Sequence, residues 1–162
     1  MRDIGDGINA LAFSPDSHVV AAACSDESIQ LFDAKTGDKL PWQISVESVP
    51  LALTYCEGGK VVAIGTSTGE LQLWEVSTQS RRATIKAHTS RINVLRVFPD
   101  GQTLASGGRD RWLQLWDTKS GERLTTLRGH SRQLFSIDIS PDGKTIASGG
   151  LAGDARVWRS GP

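Results

Sequence analysis

The sequence predicts an all-β fold made of four like units, each a set of short antiparallel strands. Three observations predict it. The pairs Phe32-Asp33, Trp74-Glu75, Trp116-Asp117 and Trp158-Arg159 follow one another at intervals of 42 residues. Other columns keep the same step. Pro15, Pro99 and Pro141 sit in the turn-forming quartets Ser14-Pro15-Asp16-Ser17, Phe98-Pro99-Asp100-Gly101 and Ser140-Pro141-Asp142-Gly143, while Ala21, Ala63, Ala105 and Ala147 recur in register, each followed two residues on by Ala23, Gly65, Gly107 or Gly149. Finally, no useful length of chain has helical period, whereas short β-branched runs alternate with turn residues throughout.

The third unit shows the elements in order. Arg91–Val97 is short and rich in β-branched residues, and Pro99-Asp100-Gly101 ends it with turn chemistry. Thr103–Ser106 is the second strand, and Gly107-Gly108-Arg109-Asp110 reads as the turn after it. Trp112–Trp116 is the third strand, followed by Thr118-Lys119-Ser120-Gly121, a turn whose glycine supplies a positive φ. Arg123–Leu127 is the fourth. A step of 42 residues lies in the roughly 40–45 residue range of a propeller blade. The fold class is therefore β-propeller blades of four-stranded antiparallel sheets in a single domain, 1–162. The units run from about 4–45, 46–87, 88–129 and 130–162. The small residues of the alanine and glycine columns suit a place where neighbouring blades approach closely.

Composition narrows the function. Hydrophobic residues make up 38% and charged residues 22%, the balance of a globular chain. Eighteen basic and eighteen acidic side chains cancel, which removes the long-range positive field used for nucleic acid or anionic membranes. Neither partner is expected. No apolar stretch approaches the length of a membrane span, and the charged opening Met1–Gly7 has no apolar core behind it. The two cysteines, Cys24 and Cys56, lack metal-ligand spacing, so no metal or cofactor is expected, and the compartment reads as reducing and cytoplasmic.

These residues resemble the WD-repeat family over essentially the whole chain. The resemblance implies a hydrogen-bonded tetrad that locks the strands, formed in the third unit by His88, Ser106, Asp110 and Trp116. The fourth keeps His130, Ser148 and Trp158 but has Ala152 at the Asp position; the second keeps Trp74 with Val46, Ile64 and Thr68; the first keeps Asp26 with Ile4, Ala22 and Phe32. A recurring Ser-His-Asp set reads as architecture, since a catalytic triad occurs once, beside an oxyanion site. Neither a nucleophile elbow nor a zinc-binding helix motif is present.

The ends do not match. Leu134 aligns with Ile8, which leaves no outer strand before the first unit, and the chain stops just after the third strand of the last. Four sets of three inner strands and three outer strands result. Further blades in a longer protein, a second copy completing an eight-bladed ring, and a strained four-bladed closure are all open. The favoured expectation is the carboxyl-terminal part of a longer, bacterial multi-repeat propeller.

The resemblance also implies one rim that carries partner contacts, formed by the loops before the first strand and between the second and third. Those residues are Asn9, Ser25, Leu51 and Ser67 in the first two units, and Arg91, Asn93, Arg109, Gln133, Phe135 and Leu151 in the last two, with Arg132 beside them. Arginines beside an aromatic have the composition of an interface hot spot. Trp112 stands where the other units carry Ser28, Glu70 and Asp154, and is either a binding aromatic or a cover for a neighbouring blade. Trp42 reads as packing on an outer strand. The expected function is a non-catalytic scaffold or sensor that binds a protein or peptide through this rim, in a larger protein serving an attached catalytic domain. A self-assembling half-propeller is the alternative, and a channel enzyme the third reading.

Overall fold

The computed structural model describes residues 7–159, apart from the side chain of Ala152. Ile4, the residue aligned with the tetrad histidine in the first unit, lies outside the described residues. The first unit comprises β1 (Ile8–Phe13), β2 (Val19–Cys24), β3 (Ser28–Asp33) and β4 (Lys39–Ser45). The second comprises β5 (Pro50–Cys56), β6 (Val61–Thr66), β7 (Glu70–Glu75) and β8 (Ser80–Lys86). Next come β9 (Ile92–Val97), β10 (Thr103–Gly108), β11 (Leu113–Asp117) and β12 (Arg123–Leu127), then β13 (Leu134–Ile139), β14 (Thr145–Gly150) and β15 (Ala155–Arg159). Each unit is one antiparallel meander in chain order. Three sheets have four strands and the last has three, so the outer strands among the described residues are β4, β8 and β12.

Gly107 and Gly108 are not in the turn, as the sequence suggested, but extend β10. The ladder continues because Asn93 bulges out of β9, so Gly107 pairs with Val94 and Gly108 with Ile92. Bulges recur at the same place in β1, β5 and β13. The expected turn glycine, Gly121, has φ 74°; Gln79 occupies the same place one unit earlier at φ 55°.

Sheets stack face to face, so an inner strand is covered on both sides. That explains why β6, Val-Val-Ala-Ile-Gly-Thr, is apolar almost throughout and buried at every residue. Three layers result. Ala21, Ala23, Ile29 and Leu31 meet Leu53, Tyr55, Val62 and Ile64 of the second unit. Ala63, Leu71 and Leu73 meet Ile92, Leu95, Leu104 and Trp116 of the third. Ala105 and Leu113 meet Leu134, Ile137 and Ile146 of the fourth. The small-residue column permits this approach.

The arc does not close into a ring. Leu11 and Phe13 on the first sheet are 61% and 65% exposed, although their counterparts Leu53 and Tyr55 are buried. At the other end Val157 is 63% exposed where Leu31 and Leu73 are buried. Ala147 and Ala155 are likewise exposed, against the fully buried Ala63 and Leu71.

A methyl group added at each glycine of the column shows which faces are covered. At Gly65 it would lie 2.6 Å from Ile92 Cγ2 of the next sheet, and at Gly107 3.1 Å from Ile137 Cδ1. At Gly149 it would meet only Ser136 Cβ of its own sheet, at 3.6 Å. Gly65→Ala should therefore cost about 1–3 kcal/mol of stability, and Gly149→Ala no more than about 0.5 kcal/mol. Urea midpoints measure both, and equal losses would contradict this packing.

Candidate functional site

The interior of the third unit carries a directional chain of hydrogen bonds. Trp116 Nε1 donates to Ser106 Oγ at 2.8 Å, and Ser106 Oγ lies 2.7 Å from His88 Nε2. His88 Nδ1 stands 2.9 Å from both Asp110 oxygens. Only one proton arrangement satisfies every neutral partner: His88 donates through Nδ1 to the carboxylate and accepts the Ser106 hydroxyl proton at Nε2. Asp110 also accepts the backbone N–H groups of Thr89 and Trp112, both at 3.2 Å. Ser106 is fully buried, so no acyl substrate reaches its hydroxyl. The set ties β10 and β11 to the loop before β9 and fixes the turn after β10.

Burial alone would raise the Asp110 pKa. The His88 hydrogen bond, with the two backbone donors, outweighs it and holds the carboxyl below its ordinary value.

In the fourth unit Trp158 Nε1 donates to Ser148 Oγ at 2.8 Å, and Ser148 Oγ lies 2.7 Å from His130 Nε2. The carboxylate comes from Asp154, two residues beyond the aligned Ala152. The single 3-10 turn Leu151–Gly153 delivers it, and its Oδ2 lies 3.1 Å from His130 Nδ1. That contact is electrostatic, because the alignment falls short of a hydrogen bond. The Ser131 N–H at 2.8 Å, and His130 after it, hold the Asp154 carboxyl below its ordinary value.

The second unit replaces the set. With Ile64 in the serine position, Trp74 Nε1 turns to Gln72 Oε1 at 3.0 Å, and Gln72 Nε2 donates to Val46 O at 3.0 Å. Thr68 pairs with Thr66 at 3.0 Å. In the third unit Gln114, the counterpart of Gln72, reaches Ala87 O at 2.6 Å. Sequence reading passed over this column, whose signal is a glutamine at 30, 72 and 114 inside otherwise apolar strands. Asp26 in the first unit accepts Ser28 Oγ at 2.6 Å.

The rim loops are joined by one backbone bond that repeats in every unit: Ser25 N to Gly7 O, Ser67 N to Val49 O, Arg109 N to Arg91 O, and Leu151 N to Gln133 O, all within 2.9–3.0 Å. The predicted rim residues do not form one set. Asn9 and Asn93 occupy the bulges and reach across to the next sheet, donating to Pro50 O and Leu134 O at 3.0 and 2.7 Å. Phe135 sits in the last bulge and is 47% exposed; Leu151 is 48% exposed, and Arg109 and Arg132 face solvent. Arg91 Nε and Gln133 Oε1 are buried and have no hydrogen-bond partner among the described residues. Trp112 is half-buried under Arg128, whose guanidinium carbon lies 4.7 Å from the ring centre. Trp42 packs against the first layer. Arg96 of β9 reaches the next sheet and donates to Ile137 O at 3.1 Å.

Among the described residues no His, Cys, Asp and Glu group is placed to hold a metal, and no helix is long and apolar enough to cross a membrane. Cys24 and Cys56 are free and buried. Burial, then Glu57, pushes the Cys56 thiol up to about 12, which leaves no thiolate for chemistry at neutral pH.

Ser106→Ala strands Trp116 N–H and His88 Nε2 in a dry site and should cost about 1–3 kcal/mol. Because the folded pKa of Asp110 is depressed, its stabilisation is present above about pH 3.9 and fades as pH falls through the lower folded value. Asp110→Asn should therefore lower the melting temperature at neutral pH and flatten its fall in acid. Parallel wild-type and variant melting curves against pH would contradict the assignment.

Among curated proteins none matches the chain. Among solved structures, the chain is similar to one titled "Structure of U3-55K", with a TM-score of 0.88 and 23% identity. The match covers 98% of this chain and 50% of that chain, so the chain spans half its length. The family model described as WD domain, G-beta repeat, matches residues 4–33, 79–117 and 121–159. The unmatched span between the first two holds Val46, Ile64 and Thr68, where the second unit has lost the tetrad side chains. With that model covering well over half of its length, the chain belongs to the WD-repeat family.

Proposed function

We propose that the chain is a non-catalytic protein-interaction module whose partner rests on the rim of the third and fourth units. One observation carries this reading. Leu151 and Phe135 are half-exposed there beside the solvent-facing Arg109 and Arg132, while buried Arg91 Nε and Gln133 Oε1 lack partners. Apolar side chains rimmed by arginine, with an unmet donor and acceptor, suit a peptide or loop that brings carboxylates and aliphatic groups. The nearby carboxylates Asp110 and Asp154 accept their hydrogen bonds from His88, Thr89 and Ser131 rather than from Arg109 or Arg132. The free, buried cysteines suit a reducing, cytoplasmic setting.

A second reading has its own observation. The exposed Leu11 and Phe13 at one end, and Val157 at the other, are the two halves of an ordinary layer between units. They suit completion of the ring by further blades or by a second copy. Because the ends of the arc differ, such a contact is head-to-tail.

A triple rim variant and a double end-face variant separate these readings. Arg109→Ala, Arg132→Ala and Leu151→Ala together should abolish retention of the bound protein on immobilised chain and leave the melting temperature within a few degrees. Phe13→Lys with Val157→Lys should leave retention intact. Retention unchanged by the rim variant and lost with the end-face variant would overturn the rim reading in favour of the second.

A further inference from the structure

Between the first and second units, at the edge of the sheets opposite the rim, lies a cleft of about 450 Å³. One side is the outer strand β4 with Leu40, Pro41 and Trp42, and Tyr55 lines it from the second unit. Among the described residues, Asp16 is the only charged one lining it. Its Oδ1 accepts Ser14 Oγ at 2.5 Å and His18 N at 3.0 Å, whereas Oδ2 has His18 Nδ1 no nearer than 3.6 Å. A purely apolar occupant would strip water from this carboxylate without replacing it.

The next junction shows what such a space takes. One repeat after Leu40 stands Arg82, whose guanidinium lies between the second and third units. It donates to Glu57 Oε1 and Glu75 Oε1, both at 2.6 Å, and to Thr118 O of the third unit at 3.0 Å. The chain thus closes that junction with its own arginine. At the first junction Leu40 and Pro15 replace Arg82 and Glu57, and Trp42 replaces Thr84, while Val76, the counterpart of Thr118, still lines the space. Guanidinium groups already stack on indoles elsewhere in this chain: Arg128 on Trp112 at 4.7 Å and Arg81 on Trp74 at 5.7 Å.

We propose that the cleft between the first and second units is a docking site for an arginine side chain carried on an apolar segment of a partner peptide. The aliphatic stem lies against Leu40 and Pro41. The guanidinium covers the Trp42 indole and turns its donors to Asp16 Oδ2 and the Val76 carbonyl. Arginine is selected over lysine because a planar, weakly hydrated cation both stacks on an aromatic face and offers several donors at once. The site is independent of the rim, which lies on the other edge of the sheets.

The test uses the 162-residue chain and a capped Leu-Arg-Leu tripeptide amide, with the citrulline tripeptide as its neutral isostere. Nuclear magnetic resonance follows the Trp42 indole N–H and the amides of Asp16 and Gly58 during titration. Saturable shifts confined to these groups are expected, weakened at least about tenfold by citrulline or by Asp16→Asn. Leu40→Arg, which supplies an internal plug like Arg82, should abolish binding and leave the remaining spectrum of the folded chain in place. Rim substitutions should have no effect, which keeps this outcome separate from that of the rim. Absence of saturable shifts at millimolar peptide, equal binding of the citrulline peptide, or unchanged binding to Leu40→Arg would each overturn the proposal.

Discussion

Everything in this chain depends on one constraint: a sheet of this kind must have another sheet on each of its faces. Its inner strands are apolar on both sides, as the fully buried β6 shows. An isolated unit would leave two greasy faces in water, each large side chain forgoing about 1.5–3 kcal/mol of burial. A hydrogen bond contributes only about 1 kcal/mol net, so the layers set the stability and the polar ties set the register. Asn9 to Pro50 O, Asn93 to Leu134 O and Glu57 N to Gly101 O are such ties, each joining one sheet to the next. The glycine column lets the layers form, and its last member, Gly149, has no facing sheet to accommodate.

The same constraint shapes the rim. Layer packing leaves each loop pair free to differ, while the buried Ser106–His88–Asp110 chain anchors the loops to the strands beneath them. Asp110 sits in the turn after β10 and binds the Thr89 N–H in the loop before β9, so both halves of the rim in that unit have one anchor. The first two units lack this chain of bonds; Gln72 and the Thr66–Thr68 pair stand in its place in the second. Side chains on a fixed frame lose less freedom on binding than those on a mobile loop, which is why the proposed contact is placed on the third and fourth units.

What keeps its column was legible in the sequence, and side chains that reach out of their columns were not. The period, the turn residues and the count of inner and outer strands came from columns that recur every 42 residues. Asp154 was missed because a 3-10 turn carries it two residues past its column. Arg82 was missed for a similar reason: its counterparts, Leu40 and Leu124, are apolar, and its partners come from the turn after β5 (Glu57) and the end of β7 (Glu75). Asn93, grouped by position with the rim, reaches across to the fourth unit because a bulge redirects its side chain, and a bulge leaves no mark in composition. Gly107 and Gly108 read as a turn because glycine is common in turns, although here Gly107 serves close approach to the next sheet and Gly108 leaves room for Arg91 O and His88 of its own unit.

The most direct test of this account is the absolute mass of the purified chain in solution, by light scattering after size exclusion. If the two end faces are halves of a layer awaiting their complement, the particles are heavier than the 17.4 kDa chain. They form a discrete dimer where two arcs complete one ring, and Leu11→Lys returns them towards the single-chain mass. A monodisperse, stable particle of one chain, with Leu11, Phe13 and Val157 left in water, would contradict the claim that each sheet needs a neighbour on both faces.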